Sequence, residues 1–167
     1  TVYSPSALPI RSNPDPDADV VRYLQEDEVV VWQKEVIGKN PVGRPNRRWV
    51  QTPEGFVYTP SLQPVKNLPN KPVDTLPESN GERGMWVEVT VPYVNMELVN
   101  PPARAPWLNE VQPTRWRLYY GQVIWVDEIK TSEDGSVLYR MNERYGSYGA
   151  IFFADALAFK VNTHEEM

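Results

Sequence analysis

The sequence predicts an all-β protein made of two small β-barrels in tandem, joined by a proline-containing linker. Three observations lead there. Apolar residues come in short, Val-rich runs without sustained helical periodicity. Turn residues punctuate the runs, with 17 Pro and 9 Gly among 167 residues. The strand pattern of the first half also returns in the second. Val, Leu, Ile and Phe together make 41 residues, above the roughly 20% floor below which too little apolar surface is buried to offset chain entropy.

The expected organisation is a first barrel over residues 1–66, a linker over 67–84, a second barrel over 85–162 and a tail over 163–167. In the first barrel, strands are expected near residues 9–11, 20–24, 28–36, 48–52 and 55–58. Glu54-Gly55 marks a tight hairpin between the last two. The polar stretch 37–48, "IGKNPVGRPNRR", reads as an exposed, mobile loop. Residues 66–83 lose all periodicity and carry Pro69, Pro72 and Pro77, which favour extended backbone and so a linker. Beyond it, strands are expected at 86–91, 93–98, 117–129, 137–143 and 150–153. Asp134-Gly135 is the strongest hairpin signal in the chain, and "FFADALAF" holds at most one short helical or 3-10 turn.

The halves align with each other. "GFVYTPSLQPV" matches "GAIFFADALAFKV", "LQEDEVVVWQKEV" matches "RLYYGQVIWVDEI", and "RRWVQT" matches "VLYRMN". These matches imply a duplicated unit of five strands.

Composition excludes several chemistries. Without cysteine there is no disulfide framework, thiolate nucleophile or Cys-ligated metal. A single histidine, His164, leaves little room for a multi-His metal site or a His-based triad. The net charge of −5 argues against nucleic-acid binding, and no apolar run is long enough to span a bilayer. No cofactor or metal is expected. His164 with Glu165 and Glu166 reads as a frayed end or a link onward.

The residues also carry a family resemblance. "ALPIRSNPDPDADVVRYLQEDEVVVW…RRWVQTPEGFVYTPSLQPV" resembles the bacterial SH3-like domain, with its opening Pro9-Ile10-Arg11-Ser12 and closing Gly55-Phe56-Val57-Tyr58. "GMWVEVTVPYVNMEL", "PPARAPWL", "RLYYGQVIWVDEI", "VLYRMNERYGSYG" and "IFFADALAFKV" are similar to the β domain preceding the catalytic domain of multi-domain bacterial L,D-transpeptidases. The resemblance implies two SH3-like barrels in the cell envelope, outside the cytoplasm. Their partner would be peptidoglycan or wall peptide, with a downstream catalytic domain or another protein as a further partner. That family's reaction needs a cysteine nucleophile, which this chain lacks, so a non-catalytic binding or spacing module is expected. A protein–protein module with no saccharide ligand is the alternative.

Trp32, Trp49, Trp86 and Trp125 lie inside Val-rich runs and are expected in the cores. Tyr58, Trp107, Tyr119, Tyr145 and Tyr148 fall at strand ends or in loops, where rings can stack on sugars or grip an extended peptide. "MNERYGSYG", residues 141–149, reads as a recognition loop, with Arg140 or Arg144 as the partner of a ligand carboxylate. "NPPARAPWL" reads as a strap over a sheet edge. Glu26, Asp27, Glu28 and Glu35 invite a glycosidase reading, but an acidic chain supplies such pairs by chance, and Glu26 to Glu28 read as a solvated turn.

Overall fold

The computed structural model describes residues 7–79, 81–99, 116–142 and 151–162. They are all-β, with a five-stranded and a seven-stranded antiparallel sheet, one two-stranded ribbon and two single 3-10 turns. The chain divides into two compact units, Thr1–Pro64 and Val65–Met167.

The first unit contains β1 (Leu8–Arg11), β2 (Val20–Leu24), β3 (Lys34–Ile37), β4 (Arg48–Gln51) and β5 (Phe56–Tyr58), in the order β2-β1-β5-β4-β3. Its core is small: Ile10, Leu24 and Val57, with Leu8, Val30 and Leu62 against them. The β4–β5 turn is set by Thr52, whose hydroxyl accepts the N–H groups of Glu54 and Gly55. Gly55 is required there, because a Cβ would stand 2.4 Å from the Arg11 carbonyl oxygen.

Two expectations change in this unit. The strand expected at 28–36 pairs only over Lys34–Ile37, because its partner β4 ends at Gln51 and turns away at Thr52. Val29 and Val31 are left exposed as a result. Loop 37–48 is exposed, as expected, but its root is tied down. Lys39 donates its N–H to the Pro14 carbonyl at 2.9 Å, and the Trp49 indole donates to the Lys39 carbonyl at 2.8 Å.

The second unit adds the ribbon β6 (Glu78–Ser79) and β7 (Glu82–Arg83), then β8 (Met85–Val89), β9 (Tyr93–Leu98), β10 (Arg117–Tyr119), β11 (Val123–Thr131), β12 (Val137–Asn142), β13 (Ile151–Asp155) and β14 (Phe159–Val161). The large sheet runs β10-β9-β13-β12-β11-β8-β14. Alternation along β8 sends Met85, Val87 and Val89 inward, where they meet Val126, Tyr139, Met141, Phe152 and Phe159. Asp134-Gly135 makes the β11–β12 hairpin as expected, with Gly135 at φ +84°.

The stretch expected as one strand over 117–129 is two. Gly121, at φ +82°, turns the chain at Tyr120–Gly121, so that β10 pairs with β9 while β11 pairs with β8 and β12. The expected linker is also corrected: much of 67–84 packs on the second unit. Leu68 and Asn70 donate N–H groups to the carbonyls of Thr90 and Leu157, Val73 donates to the Tyr139 hydroxyl at 3.0 Å, and Val73 and Leu76 touch the core. Proline makes this segment extended, and the N–H groups of Leu68, Asn70 and Val73 then find acceptors on the second unit.

The two units share one arrangement. In the first, a β1–β2 hairpin joins a β3-β4-β5 meander through β1 and β5; in the second, β9–β10 joins β11-β12-β13 through β9 and β13. A 3-10 turn follows each meander, at Thr59–Ser61 and at Ala156–Ala158. The duplication read from sequence is therefore a duplication of topology. β2 and β3 end one sheet, β10 and β14 end the other, and no ladder among the described residues closes either into a barrel.

Candidate functional site

The outward face of β8, β11 and β12 holds the candidate site. Trp86 and Trp125 are direct partners in the β8–β11 ladder, on the side opposite the buried Val87 and Val126. Their rings meet edge to face, with centroids 5.3 Å apart and planes at 67°. Both are half-buried, which corrects the expectation that they are core residues; Trp32 is half-buried too, whereas Trp49 is buried as expected.

Two local features shape this face. Gly84, just before β8, is buried against the Trp125 ring: a Cβ at this position would lie 2.2 Å from Cζ2 of the indole. The ladder also skips a residue, since Val126 faces Met141 and Glu128 faces Arg140. Asp127 is the extra residue of this bulge, and a bulge redirects a side chain. Its carboxylate accepts the Arg140 Nε at 2.7 Å, while Nη1 of Arg140 lies 2.8 Å from Glu128.

Between these groups and the β6–β7 ribbon lies a shallow depression of about 310 Å³, lined by Glu82, Arg83, Trp125, Asp127 and Asn142. Among the described residues, the Arg83 guanidinium and the Asn142 side-chain amide take part in no hydrogen bond or ion pair. An indole surface, an open cation and an open amide thus border one space. Such a set recognises a ligand with an apolar ring face, a carboxylate and an amide.

The residues singled out from sequence are distributed differently. Arg140 reaches this face, but Asp127 and Glu128 engage its guanidinium, and the hydrogen bond to Asp127 raises its pKa. It positions Asp127 and is not the open anion partner expected. Tyr58 lies in the first unit, where its hydroxyl donates to the Asn46 carbonyl at 3.0 Å and its ring packs edge-on against Trp49 at 5.4 Å. It anchors the 37–48 loop. Tyr119 sits in the end strand β10 opposite Tyr93, half-buried. Trp107, Arg144, Tyr145 and Tyr148 lie outside the described residues, as do His164 and most of the expected strap and recognition loop.

Glu28 belongs to an ion-pair cluster. Arg22 grips both oxygens of Glu54, at 2.8 and 2.6 Å, and reaches Glu28 at 2.7 Å. The Gln25 N–H donates to Glu28 and lowers its pKa, and Arg22 does the same to Glu54. A general acid needs its pKa raised, so these carboxyls are tuned in the opposite direction. No cluster of three or more His, Cys, Asp or Glu able to hold a metal occurs among the described residues, nor is any helix there long and apolar enough to cross a membrane.

Comparison of the chain with protein-family models, with curated proteins and with solved structures yields no match in any of the three.

Proposed function

We propose that this chain is a non-catalytic binding and spacing module of the cell envelope, built from two SH3-like barrels, that holds peptidoglycan at the outward face of its second unit. The observation that carries the reading is the depression beside Trp125, with Arg83 and Asn142 uncommitted at its rim among the described residues. The duplicated strand order supports the comparison with SH3-like front regions of L,D-transpeptidases, and the absence of cysteine removes that family's nucleophile from these residues. The module would place a catalytic partner on the wall. Purified sacculi test it: the chain should pellet with them, and retention no greater than that of a matched acidic control would refute the reading.

A second reading is favoured by one feature of the first unit. Val21 and Tyr23 on end strand β2 are both more than half exposed, and an end strand with exposed apolar side chains can pair with a strand of another polypeptide. Binding to a protein partner that survives replacement of Trp125, together with no retention on sacculi, would favour this alternative.

A further inference from the structure

We infer that the depression at Trp125 holds a free amino-acid end, an ammonium and a carboxylate carried on one carbon, and so selects wall peptide that has not been cross-linked. This rests on the envelope reading and narrows it to one chemical state of the polymer.

The charges that line the depression call for a ligand of both signs. Arg83 brings a guanidinium, and Asn142 a side-chain amide, that are uncommitted among the described residues. Asp127 brings the opposite charge. Its Oδ1 accepts Nε of Arg140 at 2.7 Å, and no hydrogen bond or ion pair among the described residues engages Oδ2. The bulge sets this carboxylate outside the regular ladder and Arg140 fixes its orientation, so the open oxygen is held in place before any ligand arrives. Only 19% of the side chain is exposed, which leaves its charge less screened than one in open water. Glu82 adds a second negative charge to the lining, so a plain anion meets repulsion that a ligand carrying its own ammonium does not.

The three open groups match an amino-acid end one by one. The Arg83 fork pairs with the carboxylate, Oδ2 of Asp127 accepts from the ammonium, and the Asn142 amide donates to and accepts from a neighbouring peptide bond. A volume of about 310 Å³, at the low end of the roughly 300–1,000 Å³ of small-ligand sites, suits such an end, and the open mouth lets the rest of a polymer run out into solvent. In the wall the sugar's carboxyl is amide-bonded to the stem peptide, so free charge of both signs belongs to the peptide. A diamino acid there ends in ammonium and carboxylate until cross-linking converts the amine to an uncharged amide. The site therefore distinguishes open ends from joined ones.

Muropeptide monomers that contain a diamino acid, untreated or N-acetylated at its free amine, serve as competitors against retention of the full chain on sacculi, beside peptide-free glycan strands. Untreated monomers should displace the chain, acetylated monomers roughly tenfold less well, and glycan strands not at all. Arg83→Ala should weaken retention roughly tenfold. Asp127→Asn should abolish the preference for the untreated monomer, a change in selectivity that general loss of structure does not produce. Equal competition by untreated and acetylated monomers, or displacement by glycan strands alone, would overturn the inference and leave the envelope reading standing. A preference for untreated monomers that persists in both variants would also overturn it, by moving the contact elsewhere. No retention of the wild-type chain would overturn inference and reading together.

Discussion

Replacing Gly84 by alanine is the sharpest perturbation the structure offers. The new methyl group would stand 2.2 and 2.5 Å from two indole carbons of Trp125, and 2.8 Å from the Val126 carbonyl oxygen. Ordinary contact needs more than 3.4 Å, so the ring must move by about 1 Å or more. It has little room, because Trp86 lies against it and Val126 is locked in the ladder with Met85. Overpacking of this kind costs about 1–3 kcal/mol, and losing the edge-to-face geometry removes about 0.5–1.5 kcal/mol more. The sum, about 2–4 kcal/mol, lowers the melting midpoint of a unit this size by on the order of 10 °C. Urea and thermal unfolding followed by tryptophan emission would measure it, and near-UV circular dichroism would report the displaced pair. A G84A variant with unchanged midpoint and unchanged aromatic dichroism would refute the claim that this glycine seats the indole.

Other contacts give further expected outcomes. Tyr139→Phe leaves the Val73 N–H without its acceptor, which should cost about 1–2 kcal/mol and speed amide exchange at Val73 specifically. Gly55→Ala places a methyl 2.4 Å from the Arg11 carbonyl oxygen and 2.9 Å from Ile10; it should destabilise the first unit by about 1–3 kcal/mol, read by denaturant unfolding. The Arg22 cluster makes that unit acid-sensitive. Glu28 and Glu54 are held below their ordinary value of 4.5, so their stabilisation is present above that pH and lost as pH falls through their lowered values. Thermal melts from pH 7 to pH 3 should show this fall in the wild type and a flatter acid limb in R22M.

Much of the architecture is legible in the sequence because it is local. Short Val-rich runs give the all-β class, Asp134-Gly135 gives a hairpin, and the strand-then-turn endings of both halves give the duplication. What escapes depends on distant partners. Strand 28–36 has the right residues throughout, but a ladder exists only where β4 is present to pair. The segment read as a linker is anchored by a hydroxyl 66 residues away, which no composition argument reaches. Within it, Asn80-Gly81 is a hairpin signal overshadowed by the three prolines.

The alignment of the halves is also one residue out at β4. Counting back from the two 3-10 turns, Val50 opposite Val57 corresponds to Tyr139 opposite Ala154, whereas the aligned strings set Trp49 against Tyr139. Such a slip exchanges the inner and outer faces of a strand, so side chains cannot be assigned to a face from that match. The site escapes for a related reason. Trp86 and Trp125 sit in apolar runs that look like core, and only the pairing of β8 with β11 shows them on the outward face. The bulge at Asp127 has no sequence signature of its own.

A hydrogen-exchange footprint of the full chain, recorded with and without soluble muropeptides, bears most directly on the account. Slowed exchange confined to the β6–β7 ribbon, the backbone flanking Trp125 and Asp127, and Asn142 is the predicted result. Slowing confined to the first unit, or none anywhere at saturating muropeptide, would contradict it.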